Sequence, residues 1–271
     1  MKRRDFLTTS AAATFGMAAT TLGPGTATAA TAGSKALLEL RTYHFASAAK
    51  QQAFVDFLAT AAIPALNRAG VKPVGAWRLL KDDNPGLKLE ADSTDLYVLL
   101  PHGSPASVAG LVKTLSGDSW FTSDGAGTLM APKDSPAYTR FESSLLLAFD
   151  GAPQVEVPTL AADRLLQLRI YESHSDERAL AKIAMFNEGG EIAIFRRCGM
   201  NPVFFGQALV GTKLPNLTYA LGFENEAAMK EGWGKFGKDP GWLQLRNDPT
   251  YADTVSNITN LVLRPVKGSQ I

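Results

Sequence analysis

The stretch that most constrains this chain occurs twice. Residues 37–43 read LLELRTY and residues 165–171 read LLQLRIY, with the leucines, the arginine and the tyrosine in the same places. A strand has a period of two, so each copy sorts onto two faces. Leu38, Leu40 and Thr42 share one face, matched by Leu166, Leu168 and Ile170. Leu37, Glu39, Arg41 and Tyr43 share the other, matched by Leu165, Gln167, Arg169 and Tyr171. One face is nearly pure core and the other pairs a cation with an aromatic ring. The likeness runs on past the strand: Ile63, Arg68, Gly70, Pro73 and Val74 align with Ile192, Arg197, Gly199, Pro202 and Val203 in one register. Self-similarity over this length reads as a duplicated unit.

A second set of elements supports the same division. In the first copy, apolar residues at helical spacing predict a helix over 48–69, which Pro64 should kink or restart. Strands are expected at 71–81 and 93–100 around an Asn-Pro-Gly loop, then a helix at 104–115, a Gly/Ser/Asp-rich loop to 135 and a strand at 140–149. In the second copy a strand at 164–171 precedes a helix from 175 to about 198, with a break expected at Gly189-Gly190. Strands at 202–211 and 217–223, a helix at 225–236, a short helix or turn at 239–246 and a strand at 257–265 complete it. Both orders are β-α-β-β-α-β, the ferredoxin-like unit. Two units are therefore expected, 35–150 and 164–267, joined by a proline-bearing linker at 151–163. Each unit covers one sheet face with helices and leaves the other bare, so the two bare faces should close on each other. The fold class is α+β, an intrachain barrel of dimeric α/β-barrel type. On this reading the leucine face goes under the helices and the Arg/Tyr face lines the barrel interior.

The first 32 residues are read as a removable export signal. Lys2-Arg3-Arg4-Asp5-Phe6-Leu7 is a twin-arginine start, followed by a weakly apolar Ala/Thr-rich stretch and small residues suited to cleavage. It is too short and polar for a membrane span. Three cations and one anion leave with it, so the formal net charge falls from +1 to −1. A near-neutral chain has no electrostatic footprint for nucleic acid or an anionic membrane. One cysteine, Cys198, allows no intrachain disulfide. A periplasmic or secreted location is expected.

The opening ELRTY, the helix end PALNRAG followed by PVGAW, and the late Asp239-Pro240-Gly241-Trp242 with Arg246 resemble the NIPSNAP family. The resemblance covers residues 37–149 and 165–265, nearly all of the chain beyond the signal. It implies a dimeric-α/β-barrel-type fold and no particular reaction. The first copy departs from the late motif, reading Asp118-Ser119-Trp120 without the proline.

The candidate site is the paired face: Glu39, Arg41 and Tyr43 with Gln167, Arg169 and Tyr171. A guanidinium in partly apolar surroundings needs a partner, either a ligand or, for Arg41, the neighbouring Glu39. Gln167 supplies no charge, so Arg169 is expected to be the more electropositive of the two and to mark the ligand-binding end. His44 and His102 offer a second candidate, a metal site at one sheet edge, with solvated loop histidines as its alternative. No P-loop, Gly-x-Gly-x-x-Gly, Cys-x-x-Cys or nucleophile elbow occurs, and no cofactor is expected. The sequence supports a small-molecule site for an anionic or aromatic ligand, a cofactor-independent oxygenase or isomerase, or a non-catalytic assembly module that could self-associate. An interior cavity of a few hundred Å³ would favour a ligand and a filled interior would favour assembly. Replacing Arg3 and Arg4 with lysine should leave the precursor uncleaved in the cytoplasm, as seen by immunoblot of cell fractions; unchanged export would overturn the twin-arginine reading.

Overall fold

In the computed structural model residues 34–271 are described; the export segment expected at 1–32 lies outside them. Among the described residues the strands are β1 (Leu37–His44), β2 (Gly75–Leu79), β3 (Asp95–His102), β4 (Arg140–Ala148), β5 (Leu165–Glu172), β6 (Asn201–Val210), β7 (Asn216–Phe223) and β8 (Asn257–Pro265). They close into one antiparallel barrel in the order β1-β3-β2-β8-β5-β7-β6-β4. Within it, β4-β1-β3-β2 and β8-β5-β7-β6 repeat one ferredoxin-like order. The seams are the β2–β8 and β4–β6 pairings. Closure leaves no exposed sheet edge to template association with another chain.

The helices start where short polar side chains cap them. Ser47 caps α1 (Ala48–Phe57), Ser104 caps α3 (Pro105–Ser116) and Asp118 caps α4 (Ser119–Asp124). Ser175 caps α6 (Asp176–Asn187), Asn225 caps α8 (Glu226–Phe236) and Asp239 caps α9 (Pro240–Leu245). Each cap accepts a backbone N–H from the first turn, satisfying a donor that has no partner within the helix. Between α1 and α2 (Ile63–Arg68) the chain makes a π-helical turn, Leu58–Ala62, and Pro64 falls in the first turn of α2. The expected interruption at Pro64 is thus a π turn, where the missing proline N–H costs little. The expected break at Gly189-Gly190 separates α6 from α7 (Glu191–Arg197), with Gly190 at φ 79°. The loop expected up to residue 135 instead contains α4 and a single turn, α5 (Ala126–Leu129).

The core has three parts. Leu38, Leu40, Trp77, Leu79, Leu99, Leu146, Leu166, Leu168, Phe204, Ala220, Leu261 and Leu263 form one cluster drawn from all eight strands and from no helix. This is the barrel interior. The other two clusters combine the outer sheet faces with the helices of one half each, with Tyr43 in one and Tyr171 in the other. The expected face assignment is therefore reversed: the leucines point inward and the Arg/Tyr face lies outside, beneath the helices. The physical reason is satisfaction of polar groups. Inside a sealed barrel a guanidinium would meet apolar side chains, at the full desolvation cost of an unpaired charge. The leucine face has no such demand.

The interior is also filled. Trp77 is fully buried and its indole folds back over Gly75, where an added Cβ would run into the ring. The space at the barrel end beside Trp77, Leu166 and Val203 amounts to about 10 Å³, room for about one water. Leu263→Ala, at a fully buried interior position, is expected to lower urea-unfolding stability by about 2–5 kcal/mol. The exposed Leu160→Ala should change it by less than about 0.5 kcal/mol. Equal effects would contradict a packed interior.

Candidate functional site

The sheet register places the histidines first. His44 pairs with Asp95 and Leu37 with His102, so the two imidazoles lie seven positions apart along an antiparallel pair, roughly 23 Å. The expectation that they share a sheet edge is corrected. β1 and β2 are joined by a crossover and run parallel; the hairpin then sends β3 back between them, antiparallel to both. His44 Nδ1 lies 2.7 Å from the Asp95 carboxylate at the surface. His102 is buried, with Nδ1 2.9 Å from Ser107 Oγ and Nε2 3.4 Å from Glu39 Oε2. Among the described residues no cluster of three or more His, Cys, Asp or Glu could hold a metal ion.

Glu39, Arg41 and Tyr43 do come together, on the outer face of β1. Arg41 donates from Nε and one terminal nitrogen to the two oxygens of Glu39, at 2.7 and 2.9 Å. Its other terminal nitrogen donates to Tyr43 Oη at 3.2 Å. Ser143 Oγ donates to Glu39 at 2.8 Å. Burial alone would push the Glu39 carboxyl up; the hydrogen bonds from His102, Arg41 and Ser143 and the Arg41 charge outweigh it and hold it at about 2. Burial pushes the Tyr43 hydroxyl up against the opposing Arg41 charge, so it is protonated at neutral pH. Its oxygen accepts from Arg41, which leaves its own proton to donate elsewhere.

What lies beyond it is a cavity of about 310 Å³ between this half-sheet and its helices. Arg41, Val98 and Leu100 form its floor, and Leu58 and Ala62 of the π turn one wall. Leu115, Phe121 and Val112 form another, and Tyr138 and Phe141 stand at its edge. Apart from Arg41, Ser116 and Thr128 the lining is apolar and aromatic; Phe54, Tyr138 and Phe141 pack around Tyr43 at centroid distances of 4.7, 5.2 and 5.1 Å. Arg41 lies 5.1 Å from the Phe141 ring.

Among the described residues the equivalent space above Arg169 in the second half is taken up by larger side chains. Across the register Arg41 faces Val98, which faces Ala76; Arg169 faces Tyr219, which faces Phe205. Eight and eleven residues beyond the helix caps stand Val112 and Leu115 in α3, but Trp233 and Phe236 in α8. Three beyond the next caps stand Phe121 and Trp242. Phe121, rather than the exposed Trp120, thus takes the position of Trp242. Asp118 and Asp239 are each held by a bidentate arginine, Arg68 and Arg197. Seven beyond the first caps Phe54 is matched by Lys182, and Ala62 by Glu191.

Arg169, expected to mark the ligand end, is covered. Its guanidinium lies 4.8 Å from the Trp233 ring and 5.3 Å from Tyr171, and its buried Nε has no partner among the described residues. Gln167 accepts from Trp233 Nε1 at 2.6 Å and donates to Asn260, and Tyr219 donates to Tyr171 at 3.1 Å. Lys182 and Glu191 form a buried ion pair at 2.9 Å. Burial pushes the Glu191 carboxyl up, opposed by Lys182 and Arg169. Sequence reading had missed this pair, as it had missed Tyr138 and Phe141; the alignment of Lys182 with Phe54 was the available signal.

Residues 166–270 match the NIPSNAP family. That NIPSNAP match holds β5 to β8, the filled half. No curated protein matches the chain in sequence. A monooxygenase-like protein from Fusobacterium nucleatum shares the fold at a TM-score of 0.56 and 7% identity, over 86% of this chain and 94% of its own. One from Lactobacillus acidophilus does so at 0.55 and 12%, over 86% and 97%. A NIPSNAP-like domain protein from Burkholderia xenovorans is 19% identical over 38% of this chain and 86% of its own, at a TM-score of 0.34.

The Glu39–Arg41 pair should be visible in acid unfolding. Glu39→Gln strands Arg41 and should cost roughly 3–5 kcal/mol at neutral pH. Because the folded carboxyl sits below its ordinary value of 4.5, its contribution is full above about 4.5 and fades as pH falls toward 2. The stability gap between wild type and variant, read by urea unfolding at a series of pH values, should narrow over that window. A pH-independent gap would remove Glu39 as the titrating group.

Proposed function

We propose that the chain binds a small, uncharged, mainly apolar molecule in the cavity above Arg41 and Tyr43. The observation that carries this is the Tyr43 hydroxyl. It is neutral, its oxygen is occupied by Arg41, and its proton is left to orient one carbonyl or hydroxyl oxygen of a ligand. The anionic ligand considered from the sequence fits less well, because Glu39 already neutralises Arg41. Tyr43 makes the same point: beside that arginine its own phenol is still harder to ionise than usual. A cavity of about 310 Å³ is in the lower range of small-molecule sites.

The filled barrel interior, taken alone, would favour an assembly module. Two exposed side chains near the cavity, Trp120 at 70% and Met130 at 80% exposure, support that second reading. The ligand reading is preferred because the room lies under the helices rather than in the interior. The fold shared with monooxygenase-like proteins is compatible with an oxygenase, but at such low identity it supports the architecture alone. Export through the twin-arginine route, part of the same proposal, would place the binding outside the cytoplasm.

The test uses 2-naphthol, followed by its own fluorescence. Wild type should bind it, Tyr43→Phe should weaken binding about five- to tenfold, the value of about one hydrogen bond, and Ala62→Trp should abolish it. If 2-naphthol binds wild type and both variants alike, the cavity is not the site.

A further inference from the structure

The filled half describes what the open half lacks. At the same register and cap positions, Trp233, Phe236, Tyr219 and Phe205 replace Val112, Leu115, Val98 and Ala76. Every exchange sets an aromatic ring against an aliphatic side chain. The room above Arg41 corresponds to space that rings fill in the other half.

The cation sharpens the comparison. Arg169 has two rings within cation–π range, Tyr171 and Trp233, the latter at 4.8 Å. Arg41, among the described residues, has one, Phe141 at 5.1 Å. Val112 stands where Trp233 stands and has no π face to offer, yet it lines the cavity. We infer that the ligand is a flat, electron-rich fused aromatic that stacks on the Arg41 guanidinium in the place Trp233 takes on Arg169.

Three physical facts bear on the chemistry. A guanidinium whose charge is balanced in its own plane by Glu39 still presents a positive face, to which an electron-rich ring is attracted. The Glu39 carboxylate already accepts from Arg41 and Ser143, unlike Gln167, which takes the Trp233 N–H. The ligand therefore needs no ring N–H, and its polar substituent belongs at the Tyr43 end. Two or three fused rings suit the space, since the cavity of about 310 Å³ is bounded on one side by Phe121 where the other half carries the larger Trp242.

This inference rests on the proposed cavity but fails separately from it. The comparison is between 2-naphthol and 2-decalol, which keeps the fused carbon skeleton and the hydroxyl but has no π face. Calorimetric titration of the protein with each should show 2-naphthol binding at least tenfold tighter. Equal affinity, with both weakened by Tyr43→Phe, overturns the stacking and leaves the cavity reading standing; binding of neither overturns both. Val112→Trp should place the protein's own ring over Arg41, abolish 2-naphthol binding and keep the melting temperature at or above that of wild type. Val112→Phe, a smaller intrusion, carries the same test should the tryptophan prevent folding. Undiminished 2-naphthol binding by a folded ring-bearing variant overturns the inference.

Discussion

The rest of the structure depends on a packed interior built from two largely apolar sheet faces. Each four-stranded half can cover one face with its own helices, and the other must be buried against something. Leu38 and Leu40 from one half meet Leu166 and Leu168 from the other, with Trp77, Phe204 and Leu263 filling the space between. At roughly 25 cal/mol per Å² of apolar area removed from water, this shared core drives closure. Closure then settles where the polar groups of the same strands can go. They face outward, beneath the helices, where a hydrogen-bond network can be built around them.

Once outside the barrel the two arginines meet different surroundings. Arg41 is held by Glu39 and Tyr43 at the floor of a cavity, whereas Arg169 is roofed by Trp233. The filled half also takes a lysine–glutamate pair where the open half has Phe54 and Ala62. Such a pair stabilises little once its desolvation is counted, and it is costly to break. It closes the space with charge that satisfies itself, and the aromatic faces around Lys182 add to its accommodation: Phe186 lies at 4.8 Å, Tyr171 at 5.6 Å and Trp242 at 5.9 Å. One architecture thus carries an open compartment and a sealed one.

Much of this was legible in advance. The twin copies of the Arg/Tyr strand, the two β-α-β-β-α-β orders and the break at Gly190 all rest on local rules of period and backbone conformation. The Glu39–Arg41 pair was legible too, because residues two apart on one strand face share a side. The antiparallel relation of β1 and β3, which separates His44 from His102, follows from the hairpin and needed only the topology to be traced through. The short helices α4 and α5 were hidden by a Gly/Ser/Asp-rich composition that suits loops and caps alike.

The strands, the longer helices, their order and which residues share a face are written in the chain, because those depend on neighbours a few positions away. Which face is sealed and which half keeps a cavity was settled only by folding. A period of two states that two faces differ; it does not say which of two apolar environments each will enter. That choice depends on where a guanidinium and its carboxylate can find partners: Ser143 and His102 reach Glu39, and Phe141 reaches Arg41, only through strand pairing. The cavity is likewise a difference between packed volumes: Val112 against Trp233 is a modest exchange in the chain and becomes a binding-sized space once eight strands and their helices hold the surrounding walls in place.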